Sequence, residues 1–137
     1  MNSKCFEYFR GDNFARENGI SLVSCKPGHA IVKVEITERH LNGAGVVHGG
    51  LLFTLADFAF AAATNSYGNV ALSINATMSF FEKSDSGTII AEAIEVARSN
   101  KLIHCDINIR HENGTLLANF KGTACVTKTK IELKTAT

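Results

Sequence analysis

Period-two alternation of apolar and polar side chains dominates the second half of the chain. Between residues 70 and 80 the even positions Val70, Leu72, Ile74, Ala76, Met78 and Phe80 are apolar, while Ser73, Asn75, Thr77 and Ser79 fall between them. That spacing predicts a half-buried strand with the even positions inward. Ile103, Cys105, Ile107 and Ile109 alternate in the same way with polar neighbours, as do Leu116, Ala118, Phe120, Ala124 and Val126. The Asn113-Gly114 pair between those two runs predicts a hairpin whose two central residues take positive φ. A further strand over 88–97, closed by the polar turn Arg98-Ser99-Asn100-Lys101, makes the last three or four strands an antiparallel meander. Upstream, two short runs flank Lys26-Pro27-Gly28, and the second puts Ala30, Val32, Val34 and Ile36 on one face.

One segment breaks the alternation. Residues 49–66 are rich in Leu, Phe and Ala, follow the pair Gly49-Gly50 and end before Tyr67-Gly68, which predicts a long helix. It is apolar nearly all round, so it must be covered on nearly all sides. The expected architecture is α+β, a curved antiparallel sheet wrapped around one central helix, with the remaining apolar surface closed by a second subunit. A chain of 137 residues holds one such domain over 1–137. Its first 17 residues read as a helical segment with Phe6, Phe9 and Phe14 inward, and 128–137 as a polar, fraying tail.

Composition narrows the function classes. A net charge of +1, with both signs spread along the chain, gives no footprint for nucleic acid. The apolar stretch 51–63 is interrupted by Thr54 and Asp57 and is shorter than the ~20 residues of a membrane span. The N-terminal sequence lacks the apolar run of a secretory signal, so a cytoplasmic protein is expected. Cys5, Cys25, Cys105 and Cys125 have no C-x-x-C spacing and read as unpaired, buried or half-buried thiols. The five histidines make no zinc pattern, and no metal is expected.

Asp57 carries the chemical argument. It is the one formally charged side chain between residues 41 and 68, and moving a carboxylate into apolar surroundings costs several kcal/mol, roughly. Two helical turns earlier, backbone N–H groups of His48, Gly49, Gly50 and Leu51 form the start of the helix, and the glycine pair admits a ligand close to the backbone. An amide donor suited to a developing oxyanion, with a lone carboxylate beside an apolar pocket, is what acyl transfer to water requires. His48 reads as a hydrogen-bonding residue at the helix start, since no Ser, Cys or Thr is placed to make it a triad base.

With those residues in hand, the run N-G-A-G-V-V-H-G-G-L-L-F-T-L-A-D resembles the N-x5-H-G-G-x6-D signature of hotdog-fold acyl-CoA thioesterases, in particular the phenylacetate-degradation type within the 4-hydroxybenzoyl-CoA thioesterase superfamily. Asn42, His48, Gly49, Gly50 and Asp57 fall on the pattern without a gap, and the order of elements agrees from about residue 13 to about 127. The resemblance implies that Asp57 is general base or nucleophile. It implies that a backbone amide of the His48-Gly49-Gly50 turn polarises the thioester carbonyl, and that Asn42 holds that oxygen or the turn around it. Ser73 is the match for an assisting strand serine. The resemblance also implies a homo-oligomer, a dimer or a tetramer built from two dimers, whose site joins the turn of one protomer to the Asp of another. Coenzyme A is then part of the substrate, and no separate cofactor is expected. Phe53, Phe60 and Ala61 are the candidates for the acyl pocket, and Lys83, Arg98 and Lys101 for the phosphates of coenzyme A. Two other readings use the same parts: a dehydratase or hydratase acting on 3-hydroxyacyl or enoyl thioesters, and a non-catalytic acyl-CoA-binding module.

Overall fold

The computed structural model describes residues 3–133. Two short helices, α1 (Ser3–Phe9) and α2 (Asn13–Glu17), precede β1 (Ile20–Lys26) and β2 (His29–Glu35). A single 3-10 turn over Glu38–His40 leads to the long helix α3 (Gly49–Asn65), followed by β3 (Asn69–Phe80), β4 (Thr88–Arg98), β5 (Leu102–His111) and β6 (Leu116–Lys130). The six strands form one antiparallel sheet in the order β1-β2-β4-β5-β6-β3. The sheet curves around α3, which is the hotdog fold that the motif resemblance implied.

Register explains how the helix is held. One row of paired residues crosses all six strands on the helix side: Cys25, Ala30, Ala93, Ile107, Phe120 and Met78. Small side chains in this face, Ala30, Ala91, Ala93, Ala118 and Ala124, are buried and leave room for Leu55, Phe58 and Phe60 of α3. Burial of each large apolar side chain contributes about 1.5–3 kcal/mol. At Gly122 the fit is closest, because a Cβ there would lie 2.9 Å from both Phe60 Cζ and Phe120 Cε1.

Several expectations are corrected. The meander is β4-β5-β6, while β3 crosses to the far edge and pairs with β6 instead of its chain neighbour β4. A bulge at Ile74 breaks the period of β3. Ala71 and Ser73 therefore share the helix side with Ala76 and Met78, while Leu72 and Ile74 are 58% and 59% exposed. A second bulge buries Leu117 in β6. In the β5–β6 hairpin Gly114 alone takes positive φ (+96°), and Asn113 does not. The turn is closed by His111 N–H to Thr115 O at 2.9 Å and Gly114 N–H to His111 O at 2.8 Å, a three-residue connection with its left-handed residue last.

The N-terminal segment is two helices rather than one, because Asp12 caps α2 by accepting from Ala15 N–H at 3.0 Å. Phe9 is buried but Phe14 is exposed. Cys5 and Cys25 form a disulfide, which packing of α1 on β1 makes possible without any sequence motif. Cys105 and Cys125 are free. Residues 128–130 extend β6, and Ile131 beyond them is buried; 134–137 of the expected tail lie outside the described residues. Among the described residues no helix is long and apolar enough to cross a membrane.

Candidate active site

The sheet and the N-terminal helices cover α3 except along one stripe. Besides Gly49 at its start, Gly50, Phe53, Thr54, Asp57 and Ala61 are its half-buried or exposed positions, and the spacing of the last four from Gly50, three, four, seven and eleven residues, puts these five on one face. The Asp57 carboxylate makes no hydrogen bond or ion pair with any described residue. Burial first, and the Asp12 carboxylate second, push its carboxyl above the ordinary value.

At the start of α3, His48 caps the helix. Its Nδ1 accepts from Gly50 N–H at 2.8 Å, and its carbonyl accepts from Leu51 N–H at 3.0 Å. The Gly50 amide is thus occupied, whereas the Gly49 N–H has no partner among the described residues. Of the two glycines, the first is the open donor. Asn42 organises the loop before it: its Oδ1 accepts from Ala44 N–H at 2.9 Å and Val46 N–H at 3.3 Å. Beside Gly49 lies a cleft of about 270 Å³ lined by Val47, Leu52, Phe80, Phe81, Glu82, Lys83, Ser84 and Leu117.

The other candidates divide. Phe53 is 40% exposed on the open stripe, its ring edge-on to Phe120 at 5.2 Å, and Ala61 lies further along it. Phe60 is 1% exposed and packs on Phe120 inside the core, so it lines no open pocket. Ser73 is opposite Ala124 on the helix side of the edge strand, exposed. Lys83 is brought to the cleft at Gly49. Arg98 is not: it stacks on Tyr67 at 4.2 Å, just past the C-terminal end of α3. A 17-residue helix separates it from the turn by about 25 Å. Lys101 belongs to the same distant turn, its carbonyl accepting from Val126 N–H at 2.7 Å. The cleft residues Phe80 and Phe81 were missed from the sequence, where Phe80 reads as the end of a strand and Phe81 falls just beyond it; two adjacent aromatics there were the available signal.

Residues 44–118, which run from the motif loop through α3 into β6, match a family model described as the thioesterase superfamily. The chain belongs to the thioesterase superfamily. This thioesterase is 34% identical over 115 residues to acyl-coenzyme A thioesterase PaaI of Escherichia coli, covering 83% of the chain and 82% of that relative. It is 38% identical over 103 residues to a putative esterase of Archaeoglobus fulgidus, covering 74% of the chain and 67% of that protein. The solved structure of the E. coli PaaI protein from the phenylacetic acid degradation operon superposes with a TM-score of 0.89 at 31% identity, over 95% of this chain and 98% of that one. The thioesterase is therefore a thioester hydrolase by family.

Proposed function

We propose that the protein hydrolyses acyl-CoA thioesters at sites shared between two copies of the chain. The observation that carries this is the pairing of an unpartnered carboxylate, Asp57, with an unpartnered amide, Gly49 N–H, along the uncovered side of one helix. Eight residues separate them, a rise of about 12 Å. One thioester carbon needs both groups within roughly 3 Å of the atoms they act on. The two groups of a single chain are too far apart for that, so the Gly49 amide of one protomer serves the Asp57 of another.

In this reading Gly49 N–H donates to the thioester oxygen and stabilises the charge that develops there. Asp57, ionised and poorly solvated, takes a proton from the attacking water or attacks the carbonyl carbon itself, and the coenzyme A thiolate leaves. Ser73 assists from β3, and Lys83 meets a phosphate of coenzyme A. Phe53 and Ala61 flank the acyl group. Likeness to the acyl-CoA thioesterase PaaI supports the substrate class. The absence of a histidine within α3 weighs against the hydratase reading, which needs an acid and a base across a C–C bond.

The test is thiol release from a panel of arylacetyl-, hydroxybenzoyl- and fatty acyl-CoA, run beside hydration of an enoyl-CoA. Hydrolysis of at least one acyl-CoA without enoyl hydration is expected. Enoyl hydration without thiol release would replace the reading, and neither activity would leave a binding module.

A further inference from the structure

His40 is 4% exposed, and the chemistry above makes no use of it. Its ring joins two segments that are distant in sequence. Nδ1 accepts from Thr37 N–H at 3.0 Å, and Nε2 lies 2.7 Å from the carbonyl of Asn18, the residue that caps α2. An acceptor role at Nδ1 puts the proton on Nε2, so the neutral ring donates to Asn18 O and both nitrogens are satisfied. The backbone of the same residue reaches the reactive turn: His40 O accepts from His48 N–H at 2.8 Å. His40 N–H closes the 3-10 turn on Thr37 O at 2.9 Å, and Asn42 and Val46 tie the intervening loop.

The peptide between His48 and Gly49 carries the open donor. Its carbonyl is held by the helical bonds to His48 O, and the peptide just before it is held by the bond from His48 N–H to His40 O, so His48 is fixed from both sides. The loop between, residues 41–47, contains three glycines or alanines in a row at 43–45, with Gly45 in the left-handed region (φ +75°). Leu41 and Val47 at its ends pack on the core and pair with each other, and Val47 N–H donates to Ser84 O at 2.8 Å, but residues 42–45 are exposed and bring no side chain to the core. We infer that His40 is a positioning residue for thioester hydrolysis, a buried strut that clamps the turn to the N-terminal helices and aims the Gly49 amide. A donor held to within a few tenths of an ångström stabilises an oxyanion far better than one that drifts, and displacement by about 1 Å can cost a hundredfold in rate.

The kinetic arm of the test rests on the reading under "Proposed function"; the exchange arm does not. His40→Gln supplies one donor and one acceptor in place of the neutral ring, whereas His40→Ala leaves Thr37 N–H and Asn18 O unpaired. In amide hydrogen exchange of the full-length protein, His40→Ala is expected to lower protection of His48 N–H by about tenfold or more, with β4 and β5 amides unchanged and His40→Gln restoring most of it. On the best acyl-CoA of the panel, kcat per folded protein is expected to fall about tenfold in His40→Ala at nearly constant KM, and to recover in His40→Gln. If His40→Ala does not fold, His40→Gln must show intermediate values of both readouts for the inference to stand. Unchanged His48 protection in a folded His40→Ala protein overturns it whatever the activity. Inactive parent enzyme overturns the functional reading alone, and the exchange result still decides the strut.

Discussion

His48 Nδ1 and the Gly50 amide close on each other at 2.8 Å, so the histidine of the motif is a helix cap inside its own turn. Removing the cap in His48→Ala is expected to cost about 1 kcal/mol. His48→Ser keeps an acceptor and most of that stability. In urea unfolding the two variants should separate by that amount, while kcat falls less than about tenfold in both. A loss in His48→Ala as deep as that of Asp57→Asn would put the imidazole in the chemistry.

In the proposed mechanism Asp57 acts as the anion, and its carboxyl lies above the ordinary value of 3.8 because of burial and then Asp12. The acid limb of kcat/KM is therefore expected above that value, with activity lost as pH falls through it. Asp57→Asn should remove the limb and lower kcat by about a hundredfold or more. Stability runs the other way. A raised folded-state value means that the native protein binds this proton more tightly than the unfolded chain. The Asp57 contribution to stability is then best below the unfolded value, declines as pH rises to the folded one, and stays low beyond. At pH 7 Asp57→Asn should melt higher than the parent, by about 3–5 °C for each kcal/mol relieved. A lower melting temperature would contradict the picture of an unpaired, desolvated carboxylate.

Gly122 is the place where the core has no slack. A Cβ would meet Phe60 Cζ and Phe120 Cε1 at 2.9 Å, and both rings are fully buried. Gly122→Ala is expected to destabilise by about 1–3 kcal/mol. Combined with Phe60→Leu, which vacates the contact, the pair should cost less than the sum of the two single changes. Additive losses in urea titrations would mean that the rings move aside freely.

The helix was legible because sixteen residues between a glycine pair and Tyr67-Gly68, eleven of them Leu, Phe or Ala, admit no other element. The strands were legible from their period. What local pattern could not give was where the period slips. Ile74 and Leu117 are ordinary strand residues, and only pairing with β6 and β5 makes them bulges. Strand order was hidden too, since the crossover of β3 to the far edge depends on which face of α3 is left to cover. The pair proposed to react was visible as Asp57 beside a glycine turn. Which amide is open was not, because that depends on the rotamer by which His48 occupies Gly50.

The Cys5–Cys25 disulfide closes a loop of twenty residues, which stabilises by about 3 kcal/mol in the chain-entropy account. Unfolded without reductant, the oxidised protein should titrate two thiols, Cys105 and Cys125, and four after reduction. Reduced native protein, or Cys5→Ser, should lose stability on that scale and show faster exchange in α1. Within the native fold Cys105 should react slowly, since burial and then Glu95 push its thiol up to about 12. Four reactive thiols without reductant would show that the bridge does not form in solution.

A shared site makes the sharpest demand. Gly49→Pro deletes the proposed donor outright, and proline is suited to the first helical position after a residue in extended conformation, as His48 is (φ −62°, ψ 132°). Nothing nearer than Phe80 at 3.4 Å meets a Cβ there. Gly49→Pro and Asp57→Asn proteins should each be nearly inactive alone. Unfolded together and refolded as an equal mixture, half of the dimers pair one of each, and every such dimer has one site with both groups intact and one with neither. About a quarter of the parent activity is then expected. A site built within one chain recovers nothing on mixing, because neither protein carries both groups. In the proposed dimer the copies meet along β3, where Leu72, Ile74, Phe80 and Phe81 are each more than half exposed. Ile74→Lys should therefore lower both the mass in solution and the recovered activity. A monomeric variant with full activity would contradict the shared site.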